Sequence, residues 1–338
     1  MSNLNHVSVK GFYGQLKTLL KNKQYWSAVW PAALFTIIFG LLYIVTAGIG
    51  LSFLGTVFTF ITQYMMYIMY GLISPIYILM YLIPSIVGFV AAFFVLYWYT
   101  LILVSFMYSY QDVLREESDH VTVATIWKHF RHLRKNQILR ISLYQQLFTF
   151  LWILPFEIIN LIWGTNAYIS GAMNVLILLV ALWKTLQYAQ SYFLYREKQP
   201  AFVGQSMRHA LTGSKRYMYG LKFNYLWIEL LYGCLPVAVW SAILGGLAYY
   251  GAYTATDVWL YLGLALVALG ILFYLPTLLT IPAVYFETSK KTIKVDTLFE
   301  ETFTPVEILA GQAFKEDYQA PKSENKKRFK LSFKRKQK

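Results

Sequence analysis

The chain has 338 residues, of which 57% are hydrophobic and 18% aromatic while only 14% are charged. That balance excludes an ordinary soluble domain and points to an integral membrane protein. A net charge of +14 taken alone would suit nucleic acid, and the single cysteine, Cys234, excludes an internal disulfide and any multi-cysteine metal site.

Residues 1–27 form a polar segment, too long for the basic region of a signal peptide, and the apolar run from about Ala28 is long enough to span. The N-terminus is therefore expected to stay attached. Within it Val9, Phe12, Leu16, Leu19 and Leu20 share one helical face, and Lys10, Lys17 and Lys21 another. Spans of about 20 residues are predicted at 28–48, 86–110, 142–163, 172–195, 222–248 and 258–286. The expected fold is an all-α transmembrane bundle of six spans in three hairpins. The stretch 49–85 carries no charge, and Gly71, Pro75 and Pro84 break it into two pieces. Two readings of it stand: one additional helical hairpin, giving eight spans, or a re-entrant or interfacial insertion.

Amphipathic segments also precede the second and third hairpins. In one, Val123, Ile126, Trp127, Phe130 and Leu133 oppose Lys128, Arg131, Arg134 and Lys135. In the other, Pro200 suits a first helical turn and is followed by Val203, Met207, Ala210 and Leu211, with Arg208 and Lys215 outside that stripe. Each unit ends at a residue suited to a left-handed cap, namely Asn22, Asn136 and Gly213. This pattern reads as a threefold repeat of basic interfacial helix plus hairpin. The blander reading is that any multi-pass protein has basic amphipathic loops.

All but one of the 30 Lys and Arg residues fall in 1–27, 111–141, 196–222 and 287–338. The positive-inside rule puts these four blocks in the cytoplasm, and with them both termini of a multi-pass plasma-membrane protein. The segment 287–338 is a cytoplasmic tail, polar and disordered from about residue 315. Eight of the last thirteen residues are basic, with Phe329, Leu331 and Phe333 interleaved. Such a tail gains on the order of 1 kcal/mol per basic residue beside an anionic leaflet. The candidate contacts to anionic headgroups are Lys128, Arg131, Arg134 and Lys135, and in the tail Lys326, Lys327, Arg328, Lys330, Lys334, Arg335 and Lys336. A tail that only fixes topology is the competing reading, and nucleic acid is not expected as a partner.

Lys184 is the exception, since it lies inside a predicted span. Glu157 and Glu229 do so too, and a charge at bilayer depth costs at least about 2.5 kcal/mol, so a partner is expected. Lys184, Gln187, Tyr188, Ser191 and Tyr195 recur at spacings of three and four, giving one side of the helix a polar stripe that should face protein or water. Counted from the cytoplasmic ends, Lys184 and Glu229 differ in depth by about 6 Å, within reach of a lysine side chain. Glu157 lies farther off. Such a pair either sets helix register or marks a path for a solute, lipid or proton. The five histidines all fall in the basic blocks, where a metal would be repelled, so no metal or cofactor is expected. The motifs of nucleotide-driven pumps, zinc proteases and serine hydrolases are absent, which leaves an enzyme without support in the sequence. Gly245, Gly246, Gly263 and Gly270 suit close helix approach in the last hairpin.

Several short stretches together resemble the bacterial integral-membrane family known as domain of unknown function 975, common in Gram-positive bacteria. They are Lys184 with Tyr188, then Pro200, then Gly213 with Lys215, then FNYLWIELL at 223–231, and finally Pro276 leading to Tyr285, Phe286 and Glu287. Pro84 with Gly88 and the Leu151-Trp152 pair are similar to features of that family's first half. The chain departs from the family in Ala181, Leu182 and Trp183 before the lysine, in Glu229 where an aromatic is usual, and in the 49–85 stretch. The resemblance implies a topology and no assigned activity. The functions expected are a membrane accessory or scaffold that binds anionic lipid and partners other membrane proteins or, alternatively, a transporter of an amphiphilic solute without its own ATPase, built around Lys184.

Overall fold

The computed structural model describes residues 7–20, 22–70, 74, 76–163, 166–202, 205–291, 293, 295–299 and 303. The tail cations from Lys326 to Lys336 lie outside the described residues. Eleven α-helices and no strand occur among those described: α1 (Val9–Leu19), α2 (Asn22–Met69), α3 (Ile76–Leu114), α4 (Val123–His132), α5 (Lys135–Trp163), α6 (Ala167–Tyr188), α7 (Ser191–Glu197), α8 (Arg208–Tyr217), α9 (Lys222–Glu229), α10 (Leu235–Tyr253) and α11 (Asp257–Lys290). Six helical stretches are long and apolar enough to cross a membrane: Tyr25–Met69, Ile76–Leu114, Lys135–Trp163, Ala167–Glu197, Lys222–Tyr253 and Asp257–Lys290.

The uncharged 49–85 stretch does not make a separate pair of helices. Residues up to Met69 continue α2 without a break, and α3 begins at Ile76 with Pro84 inside it. The glycines of 49–69 carry no tertiary demand strong enough to end a helix rich in apolar residues, and Pro84 is tolerated because its loss is one backbone bond. α2 and α3 pack along each other, and at Gly50 and Gly88 their backbones nearly touch. A Cβ added to Gly88 would stand 2.6 Å from the Gly50 nitrogen, and the Ser85 hydroxyl donates to the Gly50 carbonyl at 2.9 Å.

The α10 and α11 helices meet in a related way. A Cβ on Gly263 would lie 2.5 Å from the Ala248 nitrogen, and the Trp240 ring lies on Gly270 while its indole N–H donates to the Leu266 carbonyl at 3.2 Å. Gly245 and Gly246, by contrast, face open space, so only two of the four glycines expected to bring these helices together do so.

A π-helical turn, Leu230–Cys234, joins α9 to α10. Pro236 lacks the N–H that would bond the Tyr232 carbonyl, and the Tyr274 hydroxyl of α11 donates to that carbonyl instead, at 2.6 Å.

Other sequence-level expectations shift. Asn136 and Gly213 are not helix ends: Asn136 lies in α5 and Gly213 in the middle of α8, where a Cβ would be 2.5 Å from the Phe299 ring. Asn22 opens α2 rather than closing α1. Pro200 sits in a separate 3-10 turn, Gln199–Phe202, ahead of α8. The left-handed residue after α8 is Gly220, with φ 79°.

The buried core is concentrated at one end of the molecule. Phe12, Phe106, Ile126, Ile138, Phe193, Phe202, Tyr217 and Phe286 are fully enclosed there, drawn from α1, the end of α3, α4, the start of α5, α7, the 3-10 turn, α8 and the end of α11. α4 is tied to this core by Ile126 and Phe130 and is capped by Thr122 and Thr125, whose hydroxyls accept from each other's backbone N–H at 3.2 and 2.9 Å. α8 is enclosed by α5, α6 and α7, with Ala210, Leu211, Ser214 and Tyr217 all buried. Away from this head, the most apolar stretch of every long helix is almost wholly exposed.

Candidate functional site

The polar stripe on α6 and α7 is buried in protein: Lys184, Gln187, Tyr188, Ser191 and Tyr195 are each at most 9% exposed. Just beyond Tyr188 the helix breaks, and the Ser214 hydroxyl seals the break by donating to the Gln187 carbonyl at 3.0 Å and accepting from the Gln190 N–H at 3.2 Å. Ser191 donates to the Tyr188 carbonyl at 2.8 Å. The stripe is thus largely consumed in holding α6, α7 and α8 together.

Lys184 does not meet a carboxylate. Its ammonium donates to the Gln187 amide oxygen at 3.2 Å and stands 3.9 Å from the centre of the Trp152 ring of α5. Among the described residues neither Glu229 nor Glu157 enters an ion pair with it. Glu229 is half-buried beside the π turn, and Glu157 is exposed on α5. A depth difference of only about 6 Å put Lys184 and Glu229 within reach in the sequence. The direction in which each helix turns its side chain separates them, and an amide and an aromatic face take the place of the carboxylate.

The strongest electrostatic cluster joins Arg115, Arg196 and Lys290, read from the sequence only as topological charge, to carboxylates given no role there as ion-pair partners. The Arg115 guanidinium donates to Glu197 at 2.8 Å and to Glu287 at 2.6 and 2.9 Å. Lys290 reaches Glu197 at 2.5 Å, and the Gln111 amide donates to Glu287 at 2.6 Å. Arg196 donates to the Gln111 side-chain oxygen at 2.8 Å and the Tyr108 carbonyl at 3.0 Å, and pairs with Asp112. Asp112 also meets the His129 Nε2 at 2.7 Å. Burial pushes the Arg115 pKa down, but the bonds from Glu287 and Glu197 outweigh it and hold the guanidinium above its ordinary range.

Three cations and three carboxylates cancel in this network, which ties the ends of α3, α7 and α11 and one side of α4. A signal for it was present: Asp112, Glu197 and Glu287 each fall one or two residues beyond a predicted span end, at 110, 195 and 286.

That network neutralises itself, and part of the positive charge outside it lies at α4 and the start of α5. Arg131 stands over Trp127 at 5.7 Å, and Lys135 over Phe130 at 4.5 Å and Trp98 at 5.5 Å. Lys128 and Arg134 are exposed beside them. Of these four, Arg134 lines a small cavity together with His129 and His132. A second cavity, of about 290 Å³, is apolar and lies between Tyr25, Trp240 and Phe273. No group of three or more His, Cys, Asp or Glu residues able to hold a metal occurs among the described residues. No family model matches the chain, and comparison with curated proteins and with solved structures gives no match.

Proposed function

We propose that this chain is a plasma-membrane accessory or scaffold protein, with three helical hairpins crossing the bilayer and its head lying in the cytoplasm against anionic headgroups. The observation that carries this reading is the junction at α4, where Arg131 and Lys135 lie against Trp127, Trp98 and Phe130. Tryptophan beside cations at the edge of a long apolar helix surface is the chemistry of a headgroup layer. In this orientation α1 and α4 lie at the membrane surface, both termini are cytoplasmic, and the basic tail adds to the attraction. The topology and the resemblance to the Gram-positive family of unknown function are parts of the same proposal, as is partnership with other membrane proteins.

The buried setting of Lys184 favours this reading over a transporter built around that residue. Lys184 is 9% exposed and lies on an amide and an indole, and it lines none of the four cavities described. Two experiments test the proposal. Lipids that co-purify with the full chain in mild detergent should be enriched in anionic species relative to the source membrane; a ratio equal to the bulk membrane would refute headgroup recognition. A Lys184→Cys variant in a Cys234→Ser background should resist aqueous thiol reagents from both sides, and ready labelling would restore the transport reading.

A further inference from the structure

A cavity of about 210 Å³ opens between α4, the start of α5 and α7, lined among others by His129, His132, Arg134, Tyr195, Arg196 and Gln199. Its wall is mixed: Leu133 and the rings of Tyr108 and Tyr195 give apolar surface, and His129, His132, Arg134, Arg196 and Gln199 supply the polar groups. The one carboxylate close by, Asp112, is already engaged by both Arg196 and His129. Arg196 is further fixed by Gln111 and the Tyr108 carbonyl and stacks 4.8 Å above the Tyr108 ring. It therefore forms a rigid, self-neutralised back wall.

Two groups remain for a ligand. Arg134 is exposed and enters none of the ion pairs among the described residues. His132 donates its Nδ1–H to the Lys128 carbonyl at 2.8 Å, so Nε2 can donate to a phosphate oxygen in the imidazolium form.

We infer that this cavity takes the phosphate group of an anionic lipid headgroup. The volume is several times the ~30 Å³ share of one water in the liquid, so a phosphate group fits with a few waters. A guanidinium and an imidazole over one opening suit its oxygens, since charge-assisted bonds to phosphate are the strong ones available to a surface site. The level is also right for a lipid. Trp98, Trp127 and Phe130, with Lys135 and Arg131 against them, form an aromatic cluster on another face of α4, which in the proposed orientation sets that helix at headgroup level. The inference rests on the proposed orientation of the head, and it narrows diffuse attraction to one place and one chemical group.

The test uses the purified full chain in detergent, with ligand occupancy read by native mass spectrometry against phosphatidylglycerol, phosphatidylcholine and inorganic phosphate in parallel. Arg134→Gln is expected to weaken phosphatidylglycerol binding about ten-fold, His132→Gln to weaken it less, and phosphatidylcholine to be unaffected. Lys291→Gln, which removes an exposed charge elsewhere on the head, should bind as the unsubstituted chain does. Thermal unfolding midpoints of the variants check that folding is intact. Equal losses in Lys291→Gln and Arg134→Gln, or no loss in either pocket variant, would overturn the pocket while leaving general anionic attraction standing. An unsubstituted chain with no preference for phosphatidylglycerol over phosphatidylcholine would sink the proposed function itself. Binding of inorganic phosphate that Arg134→Gln abolishes, without lipid binding, would keep the phosphate chemistry and overturn the lipid as its source.

Discussion

The head and the long helices are stabilised by different means. In the head, side chains from ten helices and a 3-10 turn share one buried core, and six charged groups neutralise one another across the ends of α3, α7 and α11. Along the long helices the apolar side chains stay exposed, and helices meet where a missing Cβ lets backbones approach, at Gly88 and Gly263. The head is organised as a water-soluble domain is, by burial and charge pairing. The helices rely on close packing and on an apolar solvent around them, which is how helices associate in lipid.

Substitutions can break this contrast at either end. The largest effect is expected in the head. Arg115→Ala leaves Glu197 with Lys290 alone and Glu287 with only the Gln111 amide, their side chains being 22% and 18% exposed. The cost should be about 3 kcal/mol, at the low end for breaking a buried pair because some solvent reaches it. Thermal unfolding in detergent measures it, and a shift no larger than that of a surface substitution would mean that the network contributes little.

Next comes the helix contact. Gly88→Leu must push α2 from α3 and should cost about 2 kcal/mol through overpacking, whereas Gly245→Ala, facing open space, should be neutral or slightly stabilising. Disulfide trapping between cysteines placed on α2 and α3 reports the separation, and equal effects of the two substitutions would end the claim of close approach. Trp152→Ala removes the ring facing Lys184 and should cost about 1 kcal/mol, read in the same unfolding assay.

The smallest effect is a pH dependence at His209. Burial, with Arg208 adding to it, holds the His209 pKa below its ordinary range, and its ring packs edge-on against Phe303. A base depressed in the folded state binds fewer protons there than when unfolded. Its contribution to stability is therefore complete above the unfolded pKa and falls as pH drops below about 6.5. His209→Phe should flatten the unfolding midpoint between pH 7 and pH 5, and an unchanged slope would show that the imidazole titrates as if free.

Much of the helical layout was legible in the sequence, because hydropathy and the charge blocks mark where a long apolar helix must begin and end. The six predicted spans fall within the six candidate membrane helices. What was not legible depends on contacts distant in the chain. The break after Tyr188 is sealed by Ser214 from α8, and the π turn before Pro236 is closed by Tyr274 from α11. Depth along a helix can be counted from sequence, but the direction a side chain faces cannot. Lys184 and Glu229 looked like partners for that reason, and the stripe from Lys184 to Tyr195 still reads correctly as a face turned to protein. Arg115 had the opposite history: it was counted among the cytoplasmic charges, yet with Glu197 and Glu287 it forms a dense polar contact at the ends of three helices.

The unbroken α2 helix has a mechanical consequence. Its apolar stretch Tyr25–Met69 is 45 residues long, about 68 Å at 1.5 Å per residue, against a hydrocarbon layer of about 30 Å. α3 runs beside it and is locked to it at Gly50 and Gly88, so the two must lean or protrude as one rod. Every ångström by which a bilayer thickens or thins changes the mismatch of that rod at a cost of fractions of a kcal/mol. In a bilayer the length of this pair is therefore the property on which a change of thickness acts.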